Sequence, residues 1–221
     1  MRIALLGGTG DIGEGLALRW AYHTDHDVVV GSREAERARG KAEEYETELV
    51  SRDVERTIEG YENEEAAARA DVVVVAVPPW HVADTVESVA ESLGEAILVS
   101  PAVGMDVDAD GAHYRPPEAG SVTALVAEAA PDDVPVVGAF HNLAADRLAN
   151  LDVMLDLDTL VVGDDEDAKG IVRRLGEGIE GLRVLDAGPL ANAPEVESVT
   201  PLVINVARYN EGMHDVGVEF K

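Results

Sequence analysis

The stretch Met1-Arg2-Ile3-Ala4-Leu5-Leu6-Gly7-Gly8-Thr9-Gly10-Asp11-Ile12-Gly13 decides the fold. Ile3 to Leu6 is a short continuous apolar run closed by glycines, which reads as a strand buried on both faces. Gly8, Gly10 and Gly13 follow with G-x-G-x-x-G spacing, and Ile12, Leu16, Leu18 and Trp20 continue on a helical stretch. A strand that turns through glycines into a helix presents unpaired N–H groups and a positive dipole end, against which a pyrophosphate can seat. Gly8 to Gly13 are therefore expected to bind a dinucleotide. The bland alternative is that the glycines only make a turn.

Outward from this turn, Val28-Val29-Val30-Gly31 reads as a second strand ending in Ser32-Arg33, with Arg37 four residues on and on the same helical face. Dinucleotide sites that take NAD place an acid here for the ribose hydroxyls. A hydroxyl and two guanidinium groups suit a 2′-phosphate instead, so Ser32, Arg33 and Arg37 point to NADP(H). The competing reading pairs the two arginines with Glu34, Glu36 or Glu44.

The rest of the chain keeps the same rhythm. A solvated helix is expected over 34–48, a strand from Val72 to Val77, a helix from Val82 to Leu93 and a strand from Ala96 to Pro101. A helix from Ser121, a strand from Val134 to Phe140 and a helix through Asp146 to Leu151 follow. Leu160 to Gly163 then reads as a strand, the run Asp164 to Asp167 caps a helix ending near Gly178, and Leu182 to Asp186 is a strand. The last helix is expected from Val196 to Tyr209, with Val199, Leu202, Val203 and Val206 on its apolar side. Apolar strands alternating with helices indicate an α/β, doubly wound (Rossmann-type) parallel sheet covered on both faces. Residues 1–155 are expected to form the NADP-binding domain and 156–221 a small C-terminal α/β lobe. Gly104 to Gly120 reads as a polar loop able to close over a site.

In a chain of 221 residues without cysteine, thiolate metal sites, disulfides and Cys nucleophiles are excluded. Asp and Glu number 44 against 17 Lys and Arg, a formal charge of −27 that repels nucleic acid and anionic membranes. No apolar run reaches the length of a membrane span, and the N-terminus lacks the basic region of a signal peptide, so a cytoplasmic location is expected. Acids spread along the chain, with Lys41, Lys169 and Lys221 the only lysines, suit a high-salt cytoplasm in which molar ions screen self-repulsion within about 3 Å.

Several further segments resemble one family, the archaeal NADP-dependent reductases of the deazaflavin coenzyme F420. They are the N-terminal string Met1 to Gly10, Val29-Val30-Gly31-Ser32-Arg33, Val99-Ser100-Pro101, Ala149-Asn150-Leu151-Asp152, Leu185-Asp186-Ala187-Gly188-Pro189-Leu190 and Glu197-Ser198-Val199-Thr200-Pro201-Leu202. The resemblance spans nearly the whole chain and implies reversible hydride transfer between NADPH and C5 of the deazaflavin, in a homodimer joined through the C-terminal lobes. It also implies that Thr9 to Ile12, Ser32, Arg33, Arg37, Val77, His81, Val103, Ala145 and Val216 contact NADP. By the same likeness, Thr9, Thr57, His141, Ser198 and Thr200 line the deazaflavin site. Two departures stand out: Pro78-Pro79 where relatives often carry one proline before the tryptophan, and no proline after His141.

Read from the residues alone, His81 and His141 follow strands whose carboxyl ends face the ligand crevice of an open α/β sheet. Hydride transfer needs donor and acceptor carbons aligned rather than a catalytic triad. Hydroxyls of Thr9, Ser198 and Thr200 and the His141 imidazole are the groups expected to polarise the ring. No metal is expected at Asp164 to Asp167, nor at Asp106, Asp108 and Asp110, which lack the closing Glu of a calcium loop. Trp20 and Trp80 are expected to be packing residues. Two other functions stay open at this level: an NADPH-dependent reductase of another acceptor (a flavin, a ferric chelate or a small carbonyl), and a non-catalytic NADP sensor.

Overall fold

A computed structural model describes all residues from Met1 to Lys221. In chain order the first half forms β1 (Arg2–Leu6), α1 (Asp11–His23), β2 (Asp27–Ser32), α2 (Ala35–Val50), β3 (Glu59–Glu62), α3 (Asn63–Ala67), β4 (Val72–Val75), α4 (Val82–Val89) and β5 (Ile97–Ser100). The second half forms β6 (Met105–Asp108), β7 (Gly111–Tyr114), α5 (Val122–Ala129), β8 (Val136–Ala139), α6 (Ala145–Ala149), β9 (Leu157–Gly163), α7 (Glu166–Glu177), β10 (Leu182–Asp186) and α8 (Ala193–Tyr209).

The apolar run of β1 lies inside the sheet, paired in parallel with β2 on one side and β4 on the other. The full order is β10-β9-β8-β5-β4-β1-β2-β3. From β1 the chain winds outward to β3, then returns across the sheet to β4, so the crevice between the carboxyl ends of β1 and β4 is the topological switch point. Two cores cover the sheet faces. One joins α1, α2 and α7, with Leu16, Trp20, Tyr45 and Val172, to one face. The other joins α3, α4 and α5, with Ala66, Val86 and Val126, to the opposite face. The buried Trp20 donates Nε1–H to the Leu175 carbonyl at 2.9 Å, tying α1 to α7 across 155 residues of sequence. No helix is long and apolar enough to cross a membrane.

The doubly wound arrangement and most elements match the sequence expectation, and the differences have physical reasons. β3 and α3 carry no apolar run, because Glu59-Gly60-Tyr61-Glu62 is a sheet edge. Gly60 is required there, since a Cβ would stand 2.4 Å from backbone atoms of α2. β9 begins at Leu157, three residues earlier than expected, and runs antiparallel to β8. β9 and β10 extend the same sheet as β1–β5 and β8, with β10 parallel to β9. Asp165 caps α7 through its carboxylate, accepting from the Ala168 amide at 2.8 Å.

Three expectations are corrected. The segment from Gly104 to Gly120 contains the antiparallel hairpin β6–β7, held to α8 rather than free to close. Asn205 accepts from the Ala112 amide and donates to its carbonyl, both at 2.8 Å, like a third strand. Trp80 is 73% exposed on a 3-10 turn and packs little. On α8 the inward side is Ala193, Val196, Glu197, Pro201 and Val203, whereas Leu202 and Val206 face outward. The helix tilts its acid inward and part of its apolar stripe toward solvent.

Candidate functional site

At the switch point the glycines have separable reasons. Gly7 adopts a φ of +75°, and a Cβ on it would stand 2.6 Å from the Val77 side chain. Gly13 admits α1 against the turn, since its Cβ would lie 2.6 Å from the Gly8 Cα. Gly10 differs: its φ is −98°, and a Cβ would meet nothing closer than 3.5 Å. Nothing inside the protein requires a glycine at that position, so its bare backbone suits the approach of a group from outside. Gly10 caps α1 without a side-chain bond, and the amides of Asp11, Ile12 and Gly13 have no intrahelical acceptor. The turn is anchored by the Gly7 and Gly8 amides on the Gly31 carbonyl and by the buried Tyr45 hydroxyl, which donates to the Gly8 carbonyl at 2.7 Å.

Beside this turn, at the end of β2, Ser32 is buried while Arg33 and Arg37 are exposed. No carboxylate lies within ion-pair distance of either arginine, and Glu44 pairs with Lys41 at 2.6 Å instead. A cation in the first turn of α2 also opposes the helix dipole, so helix stability does not account for Arg37. Two unpaired guanidinium groups in so acidic a chain favour the 2′-phosphate reading over the structural one.

A cavity of about 640 Å³ runs from Gly10, Asp11 and Ile12 past the ends of β4 and β5 to α8. Ile12, Val77, Val103, Ala145 and Val216 give it apolar walls, as does Met105 from the hairpin. His141 and Thr200 line its far part, with Val203 and Ile204 of α8 beside them.

His141 is set by a strained residue. Phe140 has a φ of +68°, costly for a bulky side chain, and stays there because its buried ring packs edge-on against Trp20, centroids 5.7 Å apart. His141 itself is 4% exposed, and burial pushes its pKa down to about 3. Its carbonyl accepts from the Thr200 hydroxyl at 2.8 Å. Its Nε2 lies 3.3 Å from Thr123 Oγ1, which donates to Glu197 at 3.0 Å, while Nδ1 has no partner. The next residue, Asn142, spans β8 and β9, donating to the Asp158 carbonyl and accepting from the Thr159 hydroxyl.

The C-terminal segment closes one wall. Val216 reaches the cavity because the residues after it are fastened: Asp158 accepts from the Arg183 guanidinium through both oxygens at 2.6 Å and from the Phe220 amide at 2.6 Å. The Arg183 hydrogen bonds hold the Asp158 carboxyl below the ordinary carboxylate range.

Besides Gly8, Gly13, Ser32, Arg33 and Arg37, four more expected site residues stand apart from the cavity wall. Thr9 is half-buried on the glycine turn beside it. Ser198 donates its hydroxyl to the Glu195 carbonyl within α8. His81 is exposed on the turn that carries Trp80. Thr57 precedes β3 at the amino edge of the sheet, level with the start of β2 and so opposite the crevice. Asp106, Asp108 and Asp110 lie on the hairpin, where Asp108 accepts from the Asp110 amide at 2.8 Å. Sequence reasoning missed Glu197, Thr123 and Asn142. For Glu197 a signal existed, an acid at the inward register of a helix otherwise apolar on that side.

The family model described as NADP oxidoreductase, coenzyme F420-dependent, matches residues 2–104. The chain is 38% identical over 209 residues to the F420-dependent NADP reductase of Methanocaldococcus jannaschii, covering 93% of this chain and 92% of the relative. It is 37% identical to the enzyme of the same name from Methanothermobacter thermautotrophicus, over 93% of this chain and 89% of the relative. In fold it superposes on a provisional F420-dependent NADP reductase from Arthrobacter sp. FB24 with a TM-score of 0.81 at 23% identity, over 100% of this chain and 99% of the other.

Proposed function

The chain belongs to the coenzyme F420-dependent NADP oxidoreductase family, and on that premise we propose that it transfers hydride reversibly between NADPH and F420 inside the cavity described above. The observation that carries this reading is one continuous space leading from the open amides of α1 to His141 and Thr200. When bound, NADPH supplies a hydride from its nicotinamide ring and the deazaflavin of F420 takes it up at C5.

The residues divide the work. The amides of Asp11, Ile12 and Gly13 and the bare backbone of Gly10 bind the pyrophosphate, with Gly8 and Thr9 completing the turn. Arg33 and Arg37, with Ser32, bind the 2′-phosphate. Ile12, Val77, Val103, Ala145 and Val216 exclude water from the ring and orient it, and His81 stays exposed on the turn that begins with the cavity-lining Pro79. His141 and Thr200 flank the second ring, with Ser198 on the same helix. Their contribution is alignment of the two rings and hydrogen bonding as electron density shifts. Thr57, on the far edge, has no part in this arrangement within one chain.

Leu202, Val206 and Tyr209, spaced one and two turns apart on α8 and 36–64% exposed, support a homodimer through this helix. The −27 charge supports a haloarchaeal, cytoplasmic setting. Mixing the protein with NADPH and oxidised F420 in molar KCl should bleach the deazaflavin absorbance. Turnover only with a flavin, ferric chelate or carbonyl, or NADPH binding without any turnover, overturns the reading. Light scattering on the same sample should give twice the 23.4 kDa chain mass.

A further inference from the structure

Glu197 is wholly buried, and a carboxylate in such a place is tolerated only among donors. Four converge on it. The Thr123 amide (2.9 Å) and hydroxyl (3.0 Å) reach Oε1. The Val122 amide (3.0 Å) and the Tyr114 hydroxyl (3.1 Å) reach Oε2. Val122 and Thr123 open α5, so the positive end of that helix also faces the acid. Burial raises the Glu197 pKa and these hydrogen bonds oppose the rise.

The donor count then decides a proton elsewhere. A carboxylate only accepts, so the single hydrogen of the Thr123 hydroxyl goes to Glu197. Thr123 Oγ1 has only lone pairs left for His141 Nε2, 3.3 Å away, and the contact is a hydrogen bond only if Nε2 carries the hydrogen. A neutral imidazole has one such hydrogen, so Nδ1, buried and without a protein partner, is a bare acceptor on a side chain that lines the cavity.

We propose that Glu197, acting through Thr123, is a positioning residue that holds His141 in its Nε2–H form and so keeps Nδ1 as an acceptor for an N–H or O–H on the ring that docks there. The identity of that ring rests on the proposed function, but the tautomer does not. Its consequence is specificity for a donor-bearing second ring, because a ring offering only an acceptor at this point would leave two lone pairs facing each other in a dry site.

The test reads the tautomer directly, by long-range proton–nitrogen NMR of the full chain labelled with nitrogen-15 in histidine, without cofactors, at pH 7 in molar KCl. The wild type should show protonated Nε2 and bare Nδ1 for His141. Glu197→Leu frees the Thr123 hydroxyl to donate to Nε2 and should move the hydrogen to Nδ1. Because losing the acid from the start of α5 can unfold the chain, Thr123→Val provides a gentler arm, expected to give a mixture of tautomers, and Thr123→Ser should restore pure Nε2–H. With NADPH saturating, Thr123→Val should raise the F420 KM about twofold, because only the Nε2–H fraction of an even mixture presents the acceptor, with NADPH affinity unchanged and Thr123→Ser near wild type. A wild-type Nδ1–H tautomer, or Thr123→Val with Nε2–H undisturbed, overturns the proposal even if hydride transfer to F420 is intact. Absence of F420 turnover with the expected spectra overturns the proposed function and leaves the tautomer assignment standing.

Discussion

The two ends of the cavity are built by different means. At the glycine turn the groups on offer are local: the amides of α1, the turn they follow, and the side chains of Ser32, Arg33 and Arg37 after β2, all within the first 37 residues. At the His141 end every essential contact joins remote segments, Thr123 with Glu197 across 74 residues, His141 with Thr200 across 59 and Asp158 with Phe220 across 62. The difference suits the ligand proposed for each end. A phosphate needs fixed amides and positive charge, which one strand, one turn and one helix supply locally. A flat ring needs side chains brought in from several directions, which only the finished fold supplies.

The largest loss is expected at the charged edge of the local end. Arg33→Ala with Arg37→Ala should lower NADPH affinity about a hundredfold or more, since each charge-assisted contact contributes about 1.5–3 kcal/mol. NADH affinity, measured by the same fluorescence titration, should hardly move. Equal losses for both nucleotides would mean that these arginines support the fold and not the 2′-phosphate.

Within the turn, two glycines answer to different demands. Gly10→Ala has open space and an ordinary φ, so the melting temperature should stay put while NADPH affinity falls about tenfold as a methyl meets the pyrophosphate. Gly13→Ala should lower the melting temperature itself, because its methyl would stand 2.6 Å from the Gly8 Cα. Thermal melts paired with nucleotide titrations separate the two, and a Gly10→Ala protein that binds NADPH normally would remove that residue from the site.

The same contrast explains what the sequence made readable. β1, β2, β4 and β5 are apolar runs with proline or glycine stops, β8 is an apolar run opened by Pro135, and the glycine spacing states its own chemistry. β3 and α3 were not readable because an edge element buries little and needs no apolar signature. The β6–β7 hairpin passed for a loop because its partner is a side chain of α8 rather than another strand. Leu202 and Val206 look like core in one-dimensional periodicity, yet Pro201 and Glu197 take the inward register. His141 was reached through its place after a strand and through family likeness, whereas the acid beneath it was visible only as an oddity in an apolar stripe. Local rules see a motif but cannot see which distant side chain meets it.

The smallest predicted effect probes the remote end without any ligand. The folded-state pKa of His141, about 3, lies below the unfolded value near 6.5, so between those limits the unfolded chain binds the extra proton. His141 thus supports the fold fully above pH 6.5, and that support is lost as pH falls through 6.5 toward 3. From pH 6.5 to 5.5 the loss from this one group is about 1 kcal/mol, before most carboxylates begin to titrate. His23 and His26, whose pKa values burial also lowers, add slopes of the same sign, so the comparison must be with His141→Asn. Denaturant unfolding of both proteins across this range, in constant molar KCl, should show the variant losing about 1 kcal/mol less. Parallel curves would place an ordinary, solvated imidazole at this position and remove the dry acceptor on which the remote end of the cavity depends.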